Sequence, residues 1–125
     1  MESWKKPVNI KNVSPKEALP GIFIRTLTYN EDVTQCHFIL KKGAKIPLHD
    51  HLFSQNGFII KGKMKFITEK GEFTAVQGDS YIFNQWEKHG AEVLEDTELL
   101  ETFSPTRKEY YPTDEQYLPN KDDFL

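Results

Sequence analysis

The sequence predicts an all-β domain, a sandwich or a closed barrel, from three observations. Short runs of apolar and β-branched residues recur at spacings of roughly 8–12 residues. Between them stand Asn30-Glu31-Asp32, Lys70-Gly71 and Gln77-Gly78-Asp79, whose side chains and backbones favour turns. No window of roughly eleven residues before Ser104 carries a helical period.

Residues 1–20 are polar and hold Pro7, Pro15 and Pro20. They read as a surface arm with at most one helical turn, after Ser14-Pro15. Ile22 to Tyr29 and Val33 to Leu40 read as two strands across the Asn30–Asp32 turn. Gly43 and Pro47 punctuate the next connection. Gly57 to Lys61 and Lys63 to Thr68 read as separate strands, with Gly62 a bend or bulge between them. Lys70-Gly71 predicts a hairpin joining Met64–Thr68 to Glu72–Val76. Ser80–Phe83 follows the next turn, and His89–Leu94 and Glu98–Phe103 are expected to flank an acidic turn at Glu95-Asp96. A barrel over residues 21–105 thus lies between the arm and an acidic tail, residues 106–125. Tyr110, Tyr111, Tyr117 and Phe124 predict that the tail packs against something.

The 125 residues suit one domain. Nine Phe, five Tyr and two Trp are enough to fill its core. A formal net charge of −3, with no basic run longer than two residues, leaves no electrostatic footprint for nucleic acid. The first residues lack the apolar segment of a secretory signal, and no stretch approaches the roughly 20 apolar residues of a membrane span. The single Cys36 excludes an internal disulfide and fits a reducing compartment. A cytoplasmic location with no membrane partner is the expectation.

The chemistry concentrates in Gly43-Ala-Lys-Ile-Pro-Leu-His49-Asp-His51. Residues two apart on a strand share a face, so His49 and His51 can reach one ion. Gln55 has the same parity, and His89 can arrive from a distant strand as a fourth ligand. Imidazole nitrogens suit several transition metals, so the ligands leave zinc, nickel, manganese and iron open. An isolated His-x-His pair also occurs on exposed strands without any metal.

The residues around these ligands resemble the two motifs of the cupin superfamily. Gly43, His49, His51, Gln55 and Gly62 fall on the first motif, with Gln where Glu is usual. Gly78, Asn84, Trp86 and His89 keep the spacing of the second, with Asn for Pro and Trp for Gly. The resemblance covers roughly residues 35–105 and implies a double-stranded β-helix, or jelly-roll barrel, often a homodimer. It also implies one divalent metal ion per subunit on His49, His51, Gln55 and His89. Gln brings no charge, so such a site keeps the ion's full positive charge. That favours Lewis-acid chemistry over dioxygen activation by two His and a carboxylate. Gln55 acting only as a hydrogen-bonding neighbour of a three-His site is the other reading.

On a strand, Leu99, Glu101 and Phe103 share one face and Glu98, Leu100 and Thr102 the other. If the Glu101 face is inside, burial raises its pKa and suits it to acid–base work; if outside, it is an ordinary surface glutamate. The run Leu-Leu-Glu101-Thr-Phe103-Ser-Pro105-Thr-Arg107 is similar to the last strand of small cupins that linearise unsaturated uronates in pectin and alginate breakdown. Those proteins carry Asp where Glu101 stands and use the same His, His, Gln, His ligand set. The resemblance implies an enzyme, a ring-opening isomerase of a carboxylated sugar. In it Glu101 and Arg107 are catalytic, and Phe103 and Arg107 bind substrate. Arg107 could grip the carboxylate bidentately or pair with the acidic tail. Trp86 and Phe53 could stack on a sugar or simply pack. His37 and Cys36 read as strand residues without a chemical role. A dioxygenase or cyclase in the same barrel, or a non-catalytic small-ligand module, are the alternative functions.

Overall fold

The computed structural model describes residues 7–112; Tyr117 and Phe124, expected to pack, lie outside the described residues. Eight strands run β1 (Lys16–Leu19), β2 (Ile22–Tyr29), β3 (Thr34–Leu40), β4 (Lys45–His49), β5 (Ser54–Thr68), β6 (Gly71–Val76), β7 (Ser80–Phe83) and β8 (His89–Ser104). All pairings are antiparallel. The all-β jelly-roll expectation holds.

The layout depends on two strands longer than the sequence suggested. β5 and β8 pair along almost their whole length, from Ser54 opposite Ser104 to Thr68 opposite His89. Their outer edges, however, serve different neighbours. Residues 97–103 of β8 pair with β3, and residues 89–92 with β4. Residues 55–58 of β5 pair with β7, and residues 63–68 with β6. One sheet therefore folds over on itself, and both halves contribute to a single core that includes Ile24, Phe38, Ile59, Met64, Phe66, Ala91, Val93 and Leu99.

The fold occurs where the register of β5 slips, between Ile59 and Met64. Gly62 sits there with φ 105°, and a Cβ on it would run into Thr97 Oγ1 and, at 2.5 Å, the Asp96 carbonyl. Only glycine fits this crossing. Thr97, buried, ties the two strands by accepting from the Lys63 N–H at 3.0 Å. The Glu95-Asp96 segment is thus a bend within one strand, not a turn between two. Paired acidic residues mimic a turn in sequence, but β8 pairs with β5 on either side of the bend, at Glu95 and at Glu98.

The N-terminal segment also differs from expectation. Its helical turn, at Ile10–Asn12, precedes Ser14 rather than following it, and Lys16–Leu19 pairs with β2 as an exposed edge strand. Arg25 donates from Nε to the Val13 carbonyl, which fastens this segment to the outer face of the sheet. On that face His37 lies between Arg25 and Glu98, 2.8 Å from the Glu98 carboxylate. Among the described residues no helix is long and apolar enough to cross a membrane.

Replacing Gly62 with Ala forces both a left-handed backbone and an overlap with backbone atoms. We expect Gly62→Ala to lower unfolding free energy by about 3 kcal/mol in urea titration. Gly71→Ala, at a hairpin where a Cβ meets nothing, should cost less despite its own positive φ.

Candidate metal centre

β4 ends at His49, which stands directly opposite His89, the first residue of β8. Facing residues on neighbouring antiparallel strands present side chains to the same side, and the two rings lie 4.5 Å apart. His51 comes from the loop beyond β4, so strand parity does not place it. Its carbonyl accepts from the Trp86 N–H at 2.8 Å, which holds the loop against the one before β8. Trp86 has φ 62°, the left-handed backbone that a Gly takes most easily. The turn geometry thus survives the substitution of Trp for Gly, at a strain of about 1–3 kcal/mol.

Each imidazole is anchored by Nδ1 to a main-chain carbonyl: His49 to Pro47 at 2.8 Å, His51 to Phe53 at 2.9 Å and His89 to Glu87 at 2.7 Å. A carbonyl only accepts, so Nδ1 carries the proton and Nε2 keeps its lone pair. The candidate ligand atoms of the three histidines lie within 4.8 Å of one another, close enough to share one ion. His89 Nε2 is buried and has no hydrogen-bond partner among the described residues. Such an orphan is rare unless something else fills the role. His51 Nε2 lies 2.8 Å from Gln55 Oε1, a contact between two lone-pair atoms. With the amide in this orientation, either a proton or a cation must reconcile them. Burial, with the Arg107 charge, holds His51 below its usual 6.5, and burial, with the other two histidines, does the same for His89. A proton is therefore disfavoured, and the donor set fits a divalent cation on His49, His51 and His89 with Gln55 Oε1 turned toward it.

Gln55 is buried on β5, and its other end donates from Nε2 to Glu101 Oε2 at 2.9 Å. Glu101 lies on the inner face of β8 with Leu99 and Phe103, at 8% exposure. Burial lifts its carboxyl from 4.5 to about 7, against the pull of Tyr81, Gln55 and Arg107. Tyr81 on β7 donates its hydroxyl to the same Oε2 at 2.6 Å. The sequence reading missed Tyr81. The available signal was Gly57, its register partner: a Cβ there would strike the Tyr81 ring. Gly57 makes room for this phenol.

His49, Gln55, His89, Glu101, Phe103 and Arg107 all line one cavity of about 70 Å³. The Arg107 guanidinium carbon lies 4.9, 5.0 and 4.1 Å from the ring centroids of Phe103, Phe53 and Tyr110. Its Nε donates to Glu109 at 3.1 Å. Arg107 thus borders the cavity and pairs with Glu109 at the start of the tail. Tyr110, from a turn at Lys108–Tyr110, adds a wall that sequence did not assign to the site. Trp86 is 64% exposed and outside the cavity lining; what reaches the site is its backbone.

Residues 36–103 match the family model described as a cupin domain. Comparison with curated proteins finds no significant match. Among solved structures, KdgF from Halomonas sp. is similar over 85% of this chain and 100% of its own, with 22% identity and a TM-score of 0.80. An RmlC-like cupin from Shewanella frigidimarina is similar over 89% of this chain and 100% of its own, with 22% identity and a TM-score of 0.82. A predicted oxalate decarboxylase from Thermotoga maritima is similar over 78% and 97%, with 19% identity and a TM-score of 0.68. At these identities the likeness is one of fold.

If the three Nε2 lone pairs await a cation, removing it should cost stability. A chelator is expected to lower Tm by about 15 °C, the effect of losing a ligand held near 1,000 times its Kd. In the metal-free protein the lowered His51 and His89 values mean that the native state binds protons less readily than the unfolded chain. The histidine contribution to stability should hold above pH 6.5 and fall as pH drops below it, offset in part by Glu101, whose raised carboxyl takes up a proton more readily in the native state over the same range. Differential scanning calorimetry across pH, with and without chelator, measures both effects.

Proposed function

The chain belongs to the cupin family, and on that premise we propose that it is a metal-dependent enzyme that opens the ring of an unsaturated sugar acid. The observation that carries this reading is the Gln55 amide, which joins the His cluster on one side and a buried acid, Glu101, on the other. A divalent ion on His49, His51, Gln55 and His89 would supply Lewis acidity toward a substrate oxygen.

The chain's own residues divide the remaining work. Arg107, stiffened between Phe53, Phe103 and Tyr110, offers a planar cation beside the cavity for a sugar carboxylate. Phe103, at the cavity wall, excludes water and fixes the guanidinium plane. Glu101 takes the proton of the anomeric hydroxyl as the ring C–O bond breaks, and returns it to the released ring oxygen. The proton count balances, and a carboxyl near 7 can both accept and donate at neutral pH. A cavity of about 70 Å³ is well below the roughly 300 Å³ of an enclosing ligand pocket. Only the reacting end of a sugar enters, and the rest stays at the mouth.

NMR of unsaturated galacturonate with the metal-loaded protein should show accelerated conversion from the ring to the open-chain form. Absence of acceleration contradicts the proposal. Glu101→Gln is expected to lower kcat by about 10²–10⁴-fold. Arg107→Met should act mainly on KM, raising it by about 10–100-fold through loss of a charged hydrogen bond.

A further inference from the structure

Glu101 has two oxygens, and both of its side-chain hydrogen bonds among the described residues fall on one of them. Gln55 Nε2 and the Tyr81 hydroxyl converge on Oε2, at 2.9 and 2.6 Å. Neither bond involves Oε1, although Glu101 lines the cavity. From this arrangement we infer that Tyr81 is a positioning residue that fixes which way the Gln55 amide faces, and so which atom Gln55 offers to a metal. The inference rests on the reading of Gln55 as a ligand.

An amide is nearly symmetric in shape but not in chemistry. Its oxygen can bind a cation, whereas its NH2 group cannot. A half-turn about the last side-chain bond would point NH2 at the His cluster and the oxygen at Glu101. That flipped state needs Glu101 to donate a proton from Oε2. Tyr81 opposes it, because an oxygen already receiving a phenol proton at 2.6 Å is held as an acceptor. Any proton Glu101 carries is directed to Oε1. The pair of donors thus gives each end of the network one role. Oε2 anchors Gln55, Oε1 is left for proton transfer, and Gln55 Oε1 is left for the ion.

The surroundings of Tyr81 are built for this reach. Its ring packs against Phe66 and Phe83, with centroids 4.4 and 5.7 Å away. It also passes directly over Gly57, where even a methyl group would meet Tyr81 Cε1 at 2.7 Å and other ring atoms closer still. A strand glycine facing a buried tyrosine is otherwise a poor choice for a sheet interior. Its use here is the path of the phenol to the carboxylate.

Tyr81→Phe keeps the ring and removes only the hydroxyl; Gly57→Ala keeps the hydroxyl and pushes the ring away. Cobalt-loaded samples of both, with wild type and Gln55→Leu, can be compared by visible absorption and by competitive chelator titration. Gln55→Leu sets the spectrum of a site that has lost its oxygen ligand. Tyr81→Phe should shift the wild-type bands toward that spectrum and weaken metal affinity about 10-fold, within the range for outer-sphere partners of metal ligands. Gly57→Ala should do the same. Circular dichroism confirms that each variant is folded before it is compared. If Gln55→Leu shifts the bands while Tyr81→Phe and Gly57→Ala match wild type, Tyr81 does not orient the amide. If Gln55→Leu itself leaves the bands unchanged, Gln55 is no ligand, and the inference falls together with that reading.

Discussion

A carboxylate inside an apolar barrel carries a desolvation penalty of several kcal/mol unless donors meet it. Glu101 is placed there by strand alternation, between Leu99 and Phe103 on the inner face of β8. Much of the site's interior follows from satisfying it. Gln55 must turn its NH2 inward, and Tyr81 must reach across Gly57. Because the amide NH2 is committed, its oxygen is left facing the lone pair of His51. That contact between two acceptors, together with the buried Nε2 of His89, which has no partner among the described residues, fits a cation at this point.

The architecture brings these groups together through shared strands rather than through loops alone. β8 carries His89 at its start, where it pairs with β4, and Glu101 near its end, where it pairs with β3. β5 carries Gln55 at its start, directly opposite Phe103. The bend at Gly62 and Thr97 lets both strands serve both halves of the folded sheet, so His49, Gln55 and His89 line one cavity with Glu101. The barrel supplies the rigidity. The one candidate ligand outside the strands, His51, is pinned by the Trp86 N–H donating to its carbonyl and by its own Nδ1 to Phe53. Substrate chemistry then depends on positions that packing already fixes.

The sequence was most legible where periodicity and spacing act locally. The β2 and β7 bounds, the hairpin after Thr68 and the shared face of Leu99, Glu101 and Phe103 all follow from alternation and turn residues, whereas which face turns inward does not. The continuity of β5 and β8 was not legible. Gly62 and Glu95-Asp96 look like breaks, and only the long-range pairing of the two strands shows that the ladder carries across them. Tyr81 was invisible for a related reason. Its partner Glu101 is twenty residues away, and a tyrosine alternating with Phe83 reads as core. The exposed side chain of Trp86 shows the opposite case, in which the residue matters through its backbone, which side-chain chemistry does not reveal.

The central claim is that Gln55 Oε1 and three Nε2 atoms surround one ion while Glu101 stays outside that set. A crystal structure of the metal-loaded protein, with anomalous scattering recorded at the metal edge, tests this most directly. The account predicts a single peak bonded to Nε2 of His49, His51 and His89 and to Gln55 Oε1, with Glu101 Oε2 still held by Tyr81. A peak bonded to the Glu101 carboxylate, or no peak among the histidines, would contradict it.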